Sequence, residues 1–258
     1  MNQFLEFETD FDFFLGHTSE IDTEWPRYLE RFLRLLKPGV PQRVMEYGPG
    51  NGYMMGRILE NAEMKKFLPF IELVMVEPSP NYRNALRERL EKIPLKSLLV
   101  HPGIREYSDL PGTEASIDII MSNHVFYYVE NFSEESFLLR RVLKPGGYLM
   151  TMLCMQDHAL IRAYIDYCRK TGNPCRKHEP RNIVAELKAG GFEMEREIVR
   201  SALEFPDTLP NRMAIHRFVM FEEGNDIPPD RLVWLERYRM GNSIHVPLVD
   251  QFLILRKP

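Results

Sequence analysis

The stretch Arg43-Val44-Met45-Glu46-Tyr47-Gly48-Pro49-Gly50-Asn51-Gly52, running into Tyr53-Met54-Met55-Gly56-Arg57-Ile58-Leu59, sets the reading of the whole chain. A short apolar run meets a glycine-rich turn, and a helical pattern follows. Glycine permits tight turning and close approach of backbone to a ligand. In an open parallel sheet, ligands sit beyond the carboxyl ends of the strands. A second apolar run, Ile71-Glu72-Leu73-Val74-Met75-Val76, ends on Glu77, where a carboxylate can accept both hydroxyl hydrogens of a ribose. Together these features describe a pocket for an adenosine-bearing cofactor.

Strands and helices alternate outward from this unit. Strands are expected over 42–47, 71–76, 96–100, 117–122, 148–153, 192–199 and 249–255. Helices are expected over 51–67, 79–92, 133–143, 157–171 and 179–189. The pattern predicts an α/β fold, Rossmann-like, with a mostly parallel seven-stranded sheet, an antiparallel last strand and helices on both faces. Lys144-Pro145-Gly146-Gly147 reads as a structural turn.

Two segments fall outside the alternation. Residues 1–39 read as a helical cover: Phe4, Phe7, Phe11, Phe14 and Leu15 share one face, His17 to Glu20 interrupts, and Trp25 to Leu36 resumes the helix. Residues 201–247 contain Pro206, Pro210, Pro228, Pro229 and Pro247, with a helical pattern over 230–239. They read as an insertion over the site, forming part of a substrate cap. The 258 residues are thus expected to form a single domain, 1–258, with two appended covers.

Composition narrows the class. A formal charge of -4 gives no basic face for a nucleic-acid backbone, although Arg176-Lys177-His178 is locally basic. Three cysteines, Cys154, Cys168 and Cys175, form no Cys-x-x-Cys pair, so neither a structural metal site nor a disulfide framework is expected. The start of the chain lacks the basic and apolar regions of a signal peptide, and no window is apolar enough to span a membrane. A cytoplasmic location and a monomer or homodimer are the expectations.

The residues after each strand supply the candidate site. Glu46 can orient a cationic group or bond the glycine loop itself, and Tyr47, Gly48, Pro49, Gly50 and Gly52 form the cradle. Pro78, Ser79 and Tyr82 follow Glu77, and Ser79 is equally suited to capping the next helix. Gly103 and Ile104 follow the third strand, where an adenine ring would lie. Asn123, His124, Tyr127 and Tyr128 follow the fourth. Aromatic walls can hold a cationic or planar substrate. His124 has a near-neutral intrinsic pKa and can bind or deprotonate an acceptor, or simply pack.

Glu46 with Gly48/Gly50/Gly52, Glu77, and Leu143-Lys144-Pro145-Gly146-Gly147 together resemble the signature of the class I S-adenosylmethionine-dependent methyltransferases, over about residues 40–200 and the final strand. The resemblance implies S-adenosyl-L-methionine as cofactor and methyl transfer to a nitrogen or oxygen of a small-molecule acceptor, without a metal. Phe14-Leu15-Gly16-His17-Thr18-Ser19-Glu20, Val76-Glu77-Pro78-Ser79 and Tyr127-Tyr128-Val129 are similar to parts of the histamine N-methyltransferases. That likeness implies an amine acceptor, with Glu20 contacting it and Phe14, Tyr127 and Tyr128 as neighbours. Glu20 and His124 are then the candidates for proton handling. A nicotinamide oxidoreductase is the first rival, but its turn places glycines as Gly-x-Gly-x-x-Gly, and Gly52 comes one residue early. A non-catalytic S-adenosylmethionine-binding protein is the second rival, and a protein methyltransferase is the third.

Overall fold

The computed structural model describes residues 8–175, 178–222, 224 and 226–258. Phe4, Phe7, Arg176 and Lys177, on which two of the expectations above fall, lie outside them. The elements in chain order are α1 (Glu8–Leu15), α2 (Glu20–Leu35), β1 (Gln42–Tyr47), α3 (Tyr53–Glu60), β2 (Ile71–Val76), α4 (Pro80–Leu90), β3 (Ser97–His101), α5 (Ile104–Ser108) and β4 (Ile117–Asn123). Then come α6 (Phe132–Val142), β5 (Leu143–Cys154), α7 (Ala159–Thr171), α8 (Pro180–Ala189), β6 (Glu193–Pro206), α9 (Leu209–Met220), β7 (Arg239–Met240) and β8 (Ser243–Arg256).

The sheet has the order β3-β2-β1-β4-β5-β8-β6, with the short β7 paired to β8. β3, β2, β1, β4 and β5 are mutually parallel, and β8 runs antiparallel to both β5 and β6. The expected α/β class and antiparallel last strand are what the chain adopts. The strand order reverses between β1 and β4, which opens a crevice at their carboxyl ends. The glycine loop enters that crevice from one side and Asn123-His124 from the other.

Alternation along the strands divides the core into two layers. On one face Val44, Leu73, Met75, Met121, Met152 and Phe252 pack with Tyr28 and Phe32 of α2 and Met55 and Ile58 of α3. On the other, Met45, Val74, Ile120, Leu149 and Leu253 pack with α6 and α8. Tyr28 is fully buried and meets the Phe252 ring edge-on at 4.8 Å, while its hydroxyl donates to the Ser122 carbonyl at 3.1 Å. That contact fixes α2 against the carboxyl end of β4.

The expected boundaries shift at several places, β5 among them, which starts at Leu143 and takes in residues 144–147, expected as a turn. The helix expected over 51–67 is α3 up to Glu60, followed by short 3-10 turns at Ala62–Met64 and Leu68–Phe70. β6 and β8 run far past 192–199 and 249–255, pairing from Glu193↔Arg256 to Pro206↔Ser243. Residues 201–206 and 243–247 are therefore sheet rather than inserted chain. Between them lie α9, absent from the sequence reading, and a 3-10 helix at Pro229–Tyr238 where 230–239 read as helical.

A third apolar cluster joins Phe14 of α1, Leu160 and Tyr164 of α7, Ile215 and Phe218 of α9, and Leu203 and Val246 of the extended strands. α1 is held on both sides. Asp10 accepts two hydrogen bonds from Arg217 of α9, at 2.8 and 2.6 Å. Glu8 accepts from the Ser79 hydroxyl at 2.6 Å, and the Tyr82 hydroxyl donates to Asp12 at 3.4 Å. His17-Thr18-Ser19 then ties to β6: Ser19 N donates to the Ala202 carbonyl at 2.9 Å and Glu204 N to that of His17 at 3.0 Å. Among the described residues no helix is long and apolar enough to cross a membrane.

Because Phe252 bridges α2 and the sheet, Phe252→Ala is expected to lower unfolding free energy by about 3–5 kcal/mol in denaturant titration. Phe137→Ala, at a site 64% exposed, is expected to change it by no more than about 0.5 kcal/mol.

Candidate active site

The carboxyl ends of β1, β2 and β4 open onto a cavity of about 180 Å³. Its first half is built by the glycine loop. Gly48 and Gly50 have φ of +72° and +56°, a region that favours glycine. A Cβ on Gly48 would stand 2.4 Å from Val125, so the bare Cα lets the loop close against the segment after β4. A Cβ on Gly50 would meet nothing within 4 Å, so it is the positive φ that asks for glycine there.

Glu77 ties the first two loops together. One carboxylate oxygen accepts from Gly50 N at 2.9 Å and the other from Ser79 N at 2.8 Å. Burial pushes its pKa up to about 7, against the lowering effect of those two amides. Glu46 is 1% exposed and its Oε2 has no hydrogen-bond partner. Burial, reinforced by the charge of Glu77, pushes it up to about 8. A buried carboxylate oxygen without a partner fits a donor-bearing or cationic ligand group. The donor set therefore fits S-adenosylmethionine: Glu46 toward its ammonium end, the glycine loop along its length, and Glu77 toward ribose hydroxyls.

Of the sequence-derived candidates, Glu46, Tyr47, Gly48, Pro49, Gly50, Glu77, Pro78, Tyr82, Asn123 and His124 line this cavity, as do Phe14, Glu20, Tyr127 and Tyr128. Gly52, Ser79, Gly103 and Ile104 do not. Gly52 takes φ +73° and a Cβ there would lie 3.0 Å from Leu86, so its bare Cα serves packing of α3 on α4. Ser79 caps α4, its hydroxyl accepting from Tyr82 N at 3.2 Å. Ile104 is buried in the apolar layer beside Val74 and Tyr107. A Cβ on Gly103 would lie 2.3 Å from the Glu106 carboxylate, which fills that position.

The second half of the cavity carries charge that the sequence reading found only in part, Glu20 and His124 but not Glu24. Glu20, Glu24, Tyr28 and Phe32 recur every four residues on α2, and all four are buried. Glu24 is fully buried; it accepts from Asn123 Nδ2 at 3.0 Å and contacts His124 Nε2 at 2.8 Å. His124 has φ +54°, rare for a residue with a side chain, and its own N donates to the Met152 carbonyl at 3.1 Å. The strained backbone turns the imidazole toward α2. Burial opposes the charged imidazolium, but Glu24 and Glu20 outweigh it and hold the His124 pKa above its ordinary value. Burial pushes Glu20 upward, with His124 partly offsetting it.

Cys154 and His158 also line the cavity, and the buried Asp250 lies behind them. Cys154 and Asp250 are register partners across β5 and β8. His158 caps α7 by accepting from Leu160 N through Nδ1 at 3.2 Å, and its Nε2 faces Asp250 at 3.6 Å. Asp250 is fully buried and burial pushes it up to about 7. Phe11, Phe14 and Phe218 close the cavity from the covers, with ring centroids 5.0–5.4 Å apart across α1 and α9. The acid repeat on an amphipathic helix was the readable signal for Glu24; Asp250 had none beyond falling in a largely apolar run, and His158 had none.

Known proteins place this architecture. No curated protein matches the chain by sequence. Among solved structures, the YcgJ protein from Bacillus subtilis aligns at TM-score 0.59 and 12% identity, over 90% of this chain and 98% of its own. A methyltransferase-designated protein of Bacillus halodurans, BH2331, aligns at TM-score 0.57 and 16% identity, over 89% and 98%. Geranyl diphosphate methyltransferase in complex with S-adenosylmethionine aligns at TM-score 0.52 and 13% identity, over 90% and 85%. These likenesses establish a shared fold. Residues 17–197, spanning both the glycine loop and the acid stripe of α2, match the sequence model of the family described as Methyltransferase domain, and the chain belongs to that family.

Proposed function

We propose that this protein is an S-adenosylmethionine-dependent methyltransferase that acts on a small-molecule nitrogen or oxygen acceptor, with an amine as the acceptor class. The observation that carries the reading is the sharing of one cavity by the glycine loop and a buried acid–aromatic wall of Glu20, Glu24, His124 and Tyr128. Buried carboxylates attract a cationic amine, and aromatic faces add to that attraction. The cofactor supplies a methyl group already activated on a sulfonium.

The chain's own residues then bind, orient and exclude water. Glu46 and Glu77 hold the two polar ends of the cofactor. Asn123 and His124 stand between cofactor loop and acceptor wall, and Glu24 fixes both through its two carboxylate oxygens. A protonated amine must lose a proton before it can attack. Glu20, whose pKa burial raises above its ordinary value, takes hydrogen bonds from the amine and handles its proton together with His124. α1 and α9 shield the site, so alignment and desolvation do most of the work.

Glu20→Gln is expected to reduce kcat/KM for the amine acceptor by about 10–100-fold, the worth of a hydrogen bond to a charged group. S-adenosylmethionine affinity, measured by calorimetry, should stay within about threefold, since Glu20 lies on the acceptor side. Equal turnover by the variant in an amine screen removes Glu20 from the acceptor site.

The raised acids set a pH dependence. In the unliganded fold Glu46 and Glu77 keep protons up to about 8 and about 7, whereas unfolded chain loses them near 4.5. Their contribution to stability is therefore present at low pH and lost as pH rises through the folded-state values. Unliganded stability is expected to fall between about pH 5 and pH 8, in melts across that range. Cofactor binding near pH 7 is expected to release protons, read from the dependence of calorimetric heat on buffer ionisation enthalpy, and Glu46→Gln should diminish that release. A binding heat independent of buffer counts against this role for Glu46.

A further inference from the structure

We propose that His124, Cys154 and Asp250 form a site for a divalent transition-metal ion of the zinc class at the floor of the acceptor cavity. Their donor atoms all lie within 4.8 Å of one another. The ligand atoms of a tetrahedral zinc stand roughly 3.3–3.8 Å apart, given bonds of about 2.0–2.3 Å, so small side-chain rotations bring the three onto one ion. One imidazole, one thiol and one carboxylate make a mixed set that selects a borderline-soft transition metal over magnesium or calcium. The absence of a Cys-x-x-Cys pair, which argued against a metal, concerns ligands close in sequence. These three come from the end of β4, the end of β5 and β8.

Each of the two nitrogen and oxygen ligands has a supporting partner. Glu24 holds His124 Nε2 at 2.8 Å, which leaves Nδ1 as the nitrogen for an ion, the carboxylate–histidine arrangement that orients metal ligands. His158 uses Nδ1 to accept from Leu160 N, so its proton sits on Nε2, toward Asp250 at 3.6 Å. His158 therefore supports Asp250. Its donor atom also lies within 4.8 Å of Glu20 and Asp250, but that tautomer offers no lone pair to an ion there. Asp250 is fully buried.

An organic ammonium is the competing occupant, and two observations disfavour it. The cavity wall includes Glu20, His124, Cys154 and His158 but not Asp250, so an ion reaches that carboxylate more readily than an acceptor does. Cys154 adds nothing to ammonium binding. On coordination the Cys154 Sγ–H bond is replaced by a bond to the metal, and the proton leaves to solvent. Three protein ligands leave a fourth position open toward the cavity, where an acceptor nitrogen, oxygen or sulfur can bind and lose its proton more easily. The inference goes beyond the amine reading: Glu20 keeps its orienting role, while His124 becomes a ligand.

The test is titration of cobalt(II) into the chelator-stripped full-length protein. One equivalent is expected to give visible ligand-field bands and a near-ultraviolet thiolate-to-cobalt band. Cys154→Ser should abolish the thiolate band, Glu24→Gln should weaken cobalt binding about 10–100-fold, and Cys175→Ser, at an exposed thiol, should leave both bands unchanged. Absence of the thiolate band from the wild-type protein, or its survival in Cys154→Ser, overturns the proposal. The wild-type titration decides even if a variant fails to fold. Calorimetry of S-adenosylmethionine with the stripped protein tests the cofactor reading separately, because that reading stands or falls whatever cobalt does.

Discussion

Glu24 is a fully buried carboxylate, and such a group persists inside a protein only when its neighbours replace water. Here Asn123 and His124 do so, one with an amide and the other with an imidazole nitrogen. This single junction joins α2, which lies outside the alternating strand–helix unit, to the tip of the central strand β4. It accounts for the unusual backbone of His124, for the acid stripe on a helix that is otherwise apolar on that face, and for the position of Glu20 one turn away.

The cofactor half was the readable half. Gly48 is a glycine because of backbone angle and close approach, Gly50 because of backbone angle, and Glu77 follows a plainly apolar strand, so local sequence carries these features. Gly52 belongs to the same run, yet its space is taken by Leu86 and it serves helix packing. Sequence alone does not separate a glycine that meets a ligand from one that meets a neighbouring helix. Ile104 shows the same limit: its position after β3 was legible, but its inward direction was not.

The acceptor half was harder to read because its groups come from distant segments. Glu24 and His124 are 100 positions apart, and Cys154 meets Asp250 only through the pairing of β5 with β8. Asp250 sits in a largely apolar strand, where a charge normally marks the solvent side; here it is buried behind the cavity wall. The proline-rich stretch concealed α9, since Pro210 opens that helix at its first turn, where its missing N–H is harmless. Prolines that looked like loop punctuation are, at that point, a helix start.

Chain order and sheet order part company at β8. It comes last in sequence yet lies between β5 and β6. The glycine loop, Glu77 and the tip of β4 are all made from the first half of the chain, whereas Asp250 arrives only with its last strand. During synthesis a nascent chain therefore holds the parts of a nucleotide pocket long before it holds the carboxylate behind the far wall. The two halves of the cavity differ in age on the ribosome, and the group that completes the second is inserted between strands already made.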